Sequence, residues 1–491
     1  MAIPHLRLSQ VNDAPIIEDG EYVLYWMITQ RRTRWNFALD HAVHRALELG
    51  KPLVVLEALR CGYPWASDRL HRFVLEGMAD NAARLHRLGV PHFSFVETTA
   101  GEGAGLLEAL ATRACVVVTD EFPCFFLPRM VAAAGERLAE TCRLEQVDGN
   151  GLLPLRQPDK TFLRAVDLRR HLQKVLAEHL LEMPSEDPLT ELDLPECIGF
   201  PKTITSRWTN SAPALAKDRL PDLSDLPINH SVPPVNDFSG GESAGQQLLE
   251  RFLDQRLARY DDDRRNLDDR ASSELSAHLH FGHVGVHQVL CAVAGRYRWH
   301  PALTSGPLRG RRVGWWGLPE PAESFLDEIV TWRELGYNMC FREDGYDRYE
   351  SLASWARETI EAHLGDKRDA IYDLETFEHA QTHDDVWNAA QRELVREGRI
   401  HNYLRMLWGK KIFEWSETPR DALAVMIELN NKYALDGRNP NSYSGIFWVL
   451  GRYDRPWGPE RPVYGKIRYM SSEQARKKLD MRGYLVRYGP D

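Results

Sequence analysis

Tyr22-Val23-Leu24-Tyr25-Trp26-Met27-Ile28 is an unbroken apolar run of strand length. Working outward from it, similar runs recur at 52–59, 92–96 and 115–122, and amphipathic stretches with helical periodicity lie between them at 36–49, 68–88 and 106–111. Strands and helices alternating from Glu21 to about Val147 imply parallel strands joined by crossover helices. The expected fold is therefore α/β: an N-terminal doubly wound, Rossmann-like parallel sheet. No Gly-x-Gly-x-x-Gly follows the first strand, where Thr29-Gln30-Arg31-Arg32 stands instead. A nucleotide held there in the dinucleotide-binding manner is not expected.

Residues 183–240 are rich in Pro, Asp, Ser and Asn, and proline resists helix interiors and removes backbone donors. The segment reads as a long interdomain linker between an α/β domain at 1–182 and a second domain at 241–491. That second domain reads as all-α, with helix candidates at 246–260, 286–297, 323–340, 349–362, 389–396, 402–415 and 420–433. A length of 491 residues supports two cores.

Composition excludes several classes. No apolar run approaches the roughly 20 residues that span a bilayer. The start, Met1-Ala2-Ile3-Pro4-His5, lacks the basic and apolar regions of a secretory signal, so a cytoplasmic protein, nucleoid-associated when on DNA, is expected. Seven cysteines at 61, 115, 124, 142, 197, 291 and 340 contain no Cys-x-x-Cys pair and argue against a disulfide framework or a zinc site. They are expected to be reduced core residues, and no metal is expected. A net charge of -10 disfavours general coating of nucleic acid, so any DNA site must be a local patch. Fourteen tryptophans suit packing around a flat ligand or stacking on bases, although filling two cores also accounts for most of them.

The most informative stretch is Ile400-His401-Asn402-Tyr403-Leu404-Arg405-Met406-Leu407-Trp408-Gly409-Lys410-Lys411-Ile412-Phe413-Glu414-Trp415. At helical spacing His401, Arg405, Trp408, Ile412 and Trp415 share one stripe. A cation in such a stripe either extends to the surface or needs an anionic or hydrogen-bonding partner. Trp408 and Trp415 lie two turns apart, about 10 Å along the axis, a separation that suits short electron hops and equally suits plain packing. Downstream, Asp436-Gly437-Arg438-Asn439-Pro440-Asn441 is a polar turn that ends a helix.

These motifs, with Trp448 and Gly465-Lys466-Ile467-Arg468-Tyr469-Met470, and with Tyr63-Pro64 and Asp120-Glu121-Phe122-Pro123 earlier in the chain, resemble the class II cyclobutane-dimer DNA photolyases of the photolyase/cryptochrome superfamily. The likeness is densest from Glu323 to Met470. It implies an FAD-binding helical domain, with FAD active as the reduced FADH⁻ and with Tyr260, Ser272, Ser273, Leu275, Ser276, Asn402, Arg405, Asn430 and Asp436 around it. The Ala271–Gly282 segment would grip the phosphates, although Ala277 and His278 depart from the family's usual Leu-Ser-Pro-Tyr-Leu, and Ser272-Ser273-Glu274 taken alone reads as a helix cap. Arg405 and Asp436 would form the ion pair beside the flavin. Asn430 would stand near flavin N5, with Asn431 an alternative. Trp408, Trp387 and Trp415 would be the proximal, middle and distal members of a photoreduction chain.

For substrate, the resemblance implies that Glu328 hydrogen-bonds the dimer, that Trp332 and Trp448 wall the flipped lesion, and that Met406 packs beneath it. Arg455 and Arg468 would contact DNA, within a stretch from Arg452 to Arg487 that carries ten basic residues against four acidic ones. A second basic run, Arg309-Gly310-Arg311-Arg312, reads as either a DNA contact or a surface loop. The implied function is light-dependent repair of cyclobutane pyrimidine dimers in UV-damaged DNA, a carbon–carbon lyase reaction, by a monomer. An antenna chromophore, deazaflavin or folate, is compatible with the N-terminal domain. The alternatives are a cryptochrome-like blue-light photoreceptor, against which Glu328, Trp332, Trp448 and Met406 argue, and a DNA-binding module without light chemistry.

Overall fold

A computed structural model describes residues 3–490 apart from 191, 197, 198 and 270. The chain forms two compact units that do not follow chain order. The first takes 1–159, 175–251 and 274–302, and the second 160–174, 252–273 and 303–491. The boundary expected at 183–240 therefore differs from the observed division, in which both units draw on several separate segments of the chain.

The first unit is built on six strands: β1 (Leu8–Gln10), β2 (Tyr22–Met27), β3 (Leu53–Leu59), β4 (His92–Val96), β5 (Ala114–Asp120) and β6 (Arg143–Val147), in the order β1-β6-β5-β2-β3-β4. All neighbours are parallel except β1, which pairs antiparallel with β6 at the edge. The doubly wound sheet and its four apolar strands are thus as the sequence predicts. β1 and β6 escaped it: β1 is three residues long, and β6 carries Arg143, Glu145 and Gln146. Glu145 is buried there because His41 Nε2 and Arg45 approach it at 2.6 and 2.8 Å. Apolar side chains fill both faces, Leu24, Val54, Phe93 and Val117 in one layer and Val23, Val55, Val116 and Ala38 in the other.

At the reversal point between β5 and β2, where such sheets commonly receive ligands, Asp120 is fully buried. Its Oδ2 accepts the backbone N–H groups of Ile28, Thr29 and Gln30 at 2.8–2.9 Å, and its Oδ1 accepts the Tyr25 hydroxyl at 2.7 Å. The loop that lacks the glycine fingerprint is thus folded around the chain's own carboxylate. Segment 201–240 packs on this unit and contributes Ile204, Trp208, Leu215, Leu223 and Leu226 to its core.

The second unit is helical. Helix Pro440–Val449 was missed in the sequence because the polar turn before it reads as a stop; Asn439 caps it by accepting the Ser442 N–H, with Pro440 at the first position. Two glycines let helices cross closely. A β-carbon on Gly336 would meet Ser444 Oγ at 2.8 Å and Pro440 O at 3.0 Å, and one on Gly409 would meet Val449 Cγ2 at 2.5 Å. Among the described residues there is no helix long and apolar enough to cross a membrane, and no group of His, Cys, Asp and Glu arranged to hold a metal ion. Six cysteines are free thiols, all buried but the half-buried Cys291; Cys197 lies outside the described residues.

Candidate active site and aromatic relay

Helix Asn402–Trp415 follows Gly398, whose φ of 64° ends helix Asp385–Glu397 in the left-handed conformation. Arg405, on its first turn, donates from Nη2 to Asp436 Oδ1 at 3.1 Å, with the two side chains 20% and 15% exposed. The partner that the apolar stripe demanded is therefore a carboxylate from the turn after helix Pro419–Tyr433. Arg405 Nε and Nη1 make no hydrogen bond to described residues. Asn402 is exposed at the helix start and Met406 is half-buried.

Asn430 and Asn431 differ in their partners. Asn431 holds the turn: its Oδ1 accepts the Arg438 N–H at 2.9 Å, its Nδ2 donates to the Tyr443 hydroxyl, and its backbone carbonyl accepts Arg438 Nη1. Arg438 itself adopts a left-handed φ of 64°. Asn430, 3% exposed, donates from Nδ2 to Ser442 Oγ and Asn431 Oδ1, while its own Oδ1 has no partner among the described residues. Asn441 Oδ1, on the first turn of the next helix, is also buried and unpartnered among the described residues.

Trp387, Trp408 and Trp415 are all buried. Trp387 Nε1 donates to the backbone carbonyl of Trp408 at 3.0 Å, and its ring lies 6.2 Å from that of Trp415 at 69°. Trp408 Nε1 donates to Gln391 Oε1 at 2.8 Å. Trp387 thus bridges the other two. Beyond Trp415 the contacts continue to His383 at 4.8 Å and Tyr372 at 5.9 Å, the Tyr372 hydroxyl being 2.6 Å from His383 Nδ1. Gln391, Tyr372 and His383 carry no sequence signal, because each acts only through neighbours brought up by folding.

Glu328 and Trp332 bracket a π-helical turn, Asp327–Trp332, between helical stretches Glu320–Leu326 and Arg333–Arg342. Such turns shift side chains out of helical register and recur at functional sites. Glu328 receives Arg264 Nη1 at 3.1 Å and keeps 38% of its side-chain surface open. Burial nonetheless pushes its carboxyl above the ordinary value, with Asp327 acting in the same direction and Arg264 opposing. Arg264 also lies 5.7 Å from the Tyr260 ring, and its carbonyl is 3.0 Å from His401 Nε2. Tyr260 is 8% exposed and packs edge-on against Phe252 and Phe325.

Trp332 and Trp448 are both half-buried. Two cations lie near the Trp448 ring, Lys410 Nζ at 5.0 Å from its centroid and Arg468 Cζ at 5.6 Å. A β-carbon on Gly445, in the same helix, would meet only Met406 Cε, at 3.8 Å, so Met406 and the Gly445 face adjoin without filling the space. Arg455 and Arg468, both exposed, flank Trp457 at 4.4 and 4.8 Å. Neither forms an ion pair with described residues, whereas Arg476 pairs with Asp385, Lys477 with Glu473, Arg482 with Asp480 and Arg487 with Asp268. The basic surplus therefore reduces to a few available cations. In the second basic run Arg309, Arg311 and Arg312 are exposed, and the tryptophans that follow, Trp315 and Trp316, are buried against each other.

Ser272 and Ser273 are half-buried in the second unit, where the Ser272 carbonyl accepts Arg256 Nη1 at 3.1 Å. Leu275 and Ser276 belong to the first unit: Leu275 is fully buried and Ser276 is the exposed first residue of helix Ser276–Phe281.

Comparison with known proteins places this arrangement. No family model matches the chain. The chain is 32% identical to the deoxyribodipyrimidine photo-lyase of Arabidopsis thaliana over 474 residues, covering 94% of this chain and 88% of that protein. It is 31% identical to the protein of that name from Methanothermobacter thermautotrophicus over 486 residues, covering 98% and 97%. Among solved structures a bacterial class III photolyase from Agrobacterium tumefaciens shares the fold, with a TM-score of 0.67 at 18% identity over 96% of this chain and 86% of that one.

Proposed function

Because the chain belongs to the deoxyribodipyrimidine photo-lyase family, we propose that it repairs cyclobutane pyrimidine dimers in UV-damaged DNA by light-driven electron transfer, as an enzyme of the class II type with FAD as its cofactor. The observation that carries the reading is the cluster of three buried tryptophans in which the Trp387 indole contacts the Trp408 main-chain carbonyl and the Trp415 ring, beginning one turn from Arg405 on the same helix.

The residues fit a flavin. Among the described residues Arg405 Nε and Nη1 are donors without partners and Asn430 Oδ1 is an acceptor without one, which suits an anionic ring system bearing a protonated nitrogen. Tyr260, Asn402 and Asp436 complete its surroundings in this reading, with Ser272 and Ser273 toward the phosphates. FAD, when bound in its reduced form, supplies the light-excited electron that opens the cyclobutane ring and is then returned.

The chain's own part is positioning. Trp332 and Trp448 would hold the flipped, poorly stacked bases between aromatic faces, with Met406 beneath. Glu328, held by Arg264, can hydrogen-bond the dimer in this reading. Arg455 and Arg468 meet phosphates. The three tryptophans carry electrons inward to restore the active redox form. A deazaflavin or folate antenna in the α/β unit would widen absorption without adding a step.

An illuminated assay on a dimer-containing oligonucleotide, run with a dark control and a (6-4) photoproduct control, tests the proposal. Loss of dimer only in the light and only from the first substrate is expected. Irradiated, flavin-loaded protein that leaves the dimer intact would overturn it.

A further inference from the structure

Lys410 follows Gly409 at the point where helices Asn402–Trp415 and Pro440–Val449 touch, and it is fully buried. Its Nζ donates to the carbonyl of Val449 at 2.5 Å and lies 5.0 Å from the centroid of the neighbouring Trp448 ring. Among the described residues no carboxylate pairs with it. A buried ammonium without a counter-ion is destabilising, and a methionine would fill the same space. Lysine therefore brings something that packing alone does not require.

We propose that Lys410 is a positioning residue for dimer recognition, holding the Trp448 indole by its π face and by the carbonyl of the next residue, so that the ring stands ready for the flipped lesion. The inference rests on the reading of Trp448 as a wall of the lesion site. The helix C-terminus contributes a negative partial charge and an otherwise unsatisfied carbonyl, which favours a cation at this place. The ring contributes a second attraction that is strongest when desolvated. Arg468, which is exposed, also lies over the same ring, with Cζ 5.6 Å from its centroid, so two cations attend the indole.

The groups facing Lys410 are few. Arg468 and Asp454 come from the segments after helix Pro440–Val449, and the Tyr464 hydroxyl donates to the Lys410 carbonyl at 2.8 Å and to Glu414 at 3.0 Å. Lys411, next on the helix, is engaged by Glu414 at 2.6 Å. Burial lowers the Lys410 amine to about 7, with Asp454 opposing and Arg468 assisting. The charged form holds the ring, so the hold weakens as pH rises through neutrality.

The test measures binding of dimer-containing and undamaged oligonucleotides to the flavin-loaded protein between about pH 6 and about pH 8.5, for wild type, Lys410→Met and Trp448→Ala. Wild-type preference for the dimer is expected to fall roughly tenfold across that range. Lys410→Met should sit at the high-pH level throughout, with KM raised, kcat at saturating dimer kept and flavin content unchanged. Retention of the full pH step in Lys410→Met overturns the inference. A Trp448→Ala protein with undiminished preference removes the premise about Trp448 itself, whereas a Trp448→Ala loss beside an unaffected Lys410→Met refutes only the role of Lys410. Should Lys410→Met not fold, a flat wild-type preference between the two pH limits refutes it alone.

Discussion

Glu328 and Asp436 each hold an arginine, and their surroundings give them different work. Asp436 is 15% exposed and its ion pair is mostly enclosed, so removing its charge leaves the Arg405 guanidinium short of a partner. Asp436→Asn is expected to destabilise the second unit by about 1–3 kcal/mol and to lower flavin occupancy, read from thermal melts and from the visible absorbance of purified protein. Glu328 keeps 38% of its side-chain surface open, and among the described residues its ion pair is with Arg264. Glu328→Ala should therefore leave flavin content intact and lower the repair quantum yield roughly tenfold, the scale of one lost charge-assisted hydrogen bond. Complete loss of flavin in that variant would show that Glu328 is a cofactor residue. At this scale the sequence offers candidate residues but not how they are held: Arg264 and Gln391 carry no pattern of their own, and only neighbours distant in the chain engage them.

The relay belongs to the level of elements, since no single helix contains it. Trp408 and Trp415 share helix Asn402–Trp415, and their spacing alone fits packing as well as electron transfer. Trp387 comes from helix Asp385–Glu397 and closes the gap between them. Trp408→Phe is expected to abolish light-driven flavin reduction, followed by absorbance under continuous illumination with an external donor, while dimer repair by pre-reduced protein persists. Unchanged photoreduction would exclude this path. Elements were legible in the sequence wherever the hydrophobic pattern was complete: β2 to β5 and helix Asn402–Trp415 are examples. They were illegible where side-chain chemistry replaced pattern. β6 is held in the sheet with a buried Glu145 that only the folded ion pairs with His41 and Arg45 make tolerable, and helix Pro440–Val449 hides behind a turn sequence that is in fact its cap. The π-helical turn at Asp327–Trp332 leaves no composition signal, because one extra residue per turn changes register and not residue type.

Across the whole chain, charge is distributed against the bulk value. A net charge of -10 coexists with Arg455 and Arg468 beside Trp457 and Trp448, so salt should weaken DNA binding through a few local contacts and not through a general field. Acid acts on the first unit. His278 and His283 are buried, with ring centroids 5.6 Å apart. Burial pulls His278 down to about 4 from the ordinary 6.5, and burial beside His278 and neighbouring arginines pulls His283 well down too. Between those limits the unfolded chain binds more protons than the folded one, so stability is present above about 6.5 and is lost as pH falls toward 4. Melting curves at pH 7 and pH 5 check this, and a His278→Phe variant should lose less on acidification than the wild type. Asp120 has a different consequence. Three main-chain donors converge on one carboxylate in the place where related topologies hold a phosphate, so the sheet carries its own resident anion. Asp120→Ala would leave an empty oxyanion socket, at a stability loss of about 3–5 kcal/mol. Added sulfate or phosphate should then restore part of the variant's melting temperature and leave the wild type unmoved, chemical rescue by the guest that this socket was built to turn away.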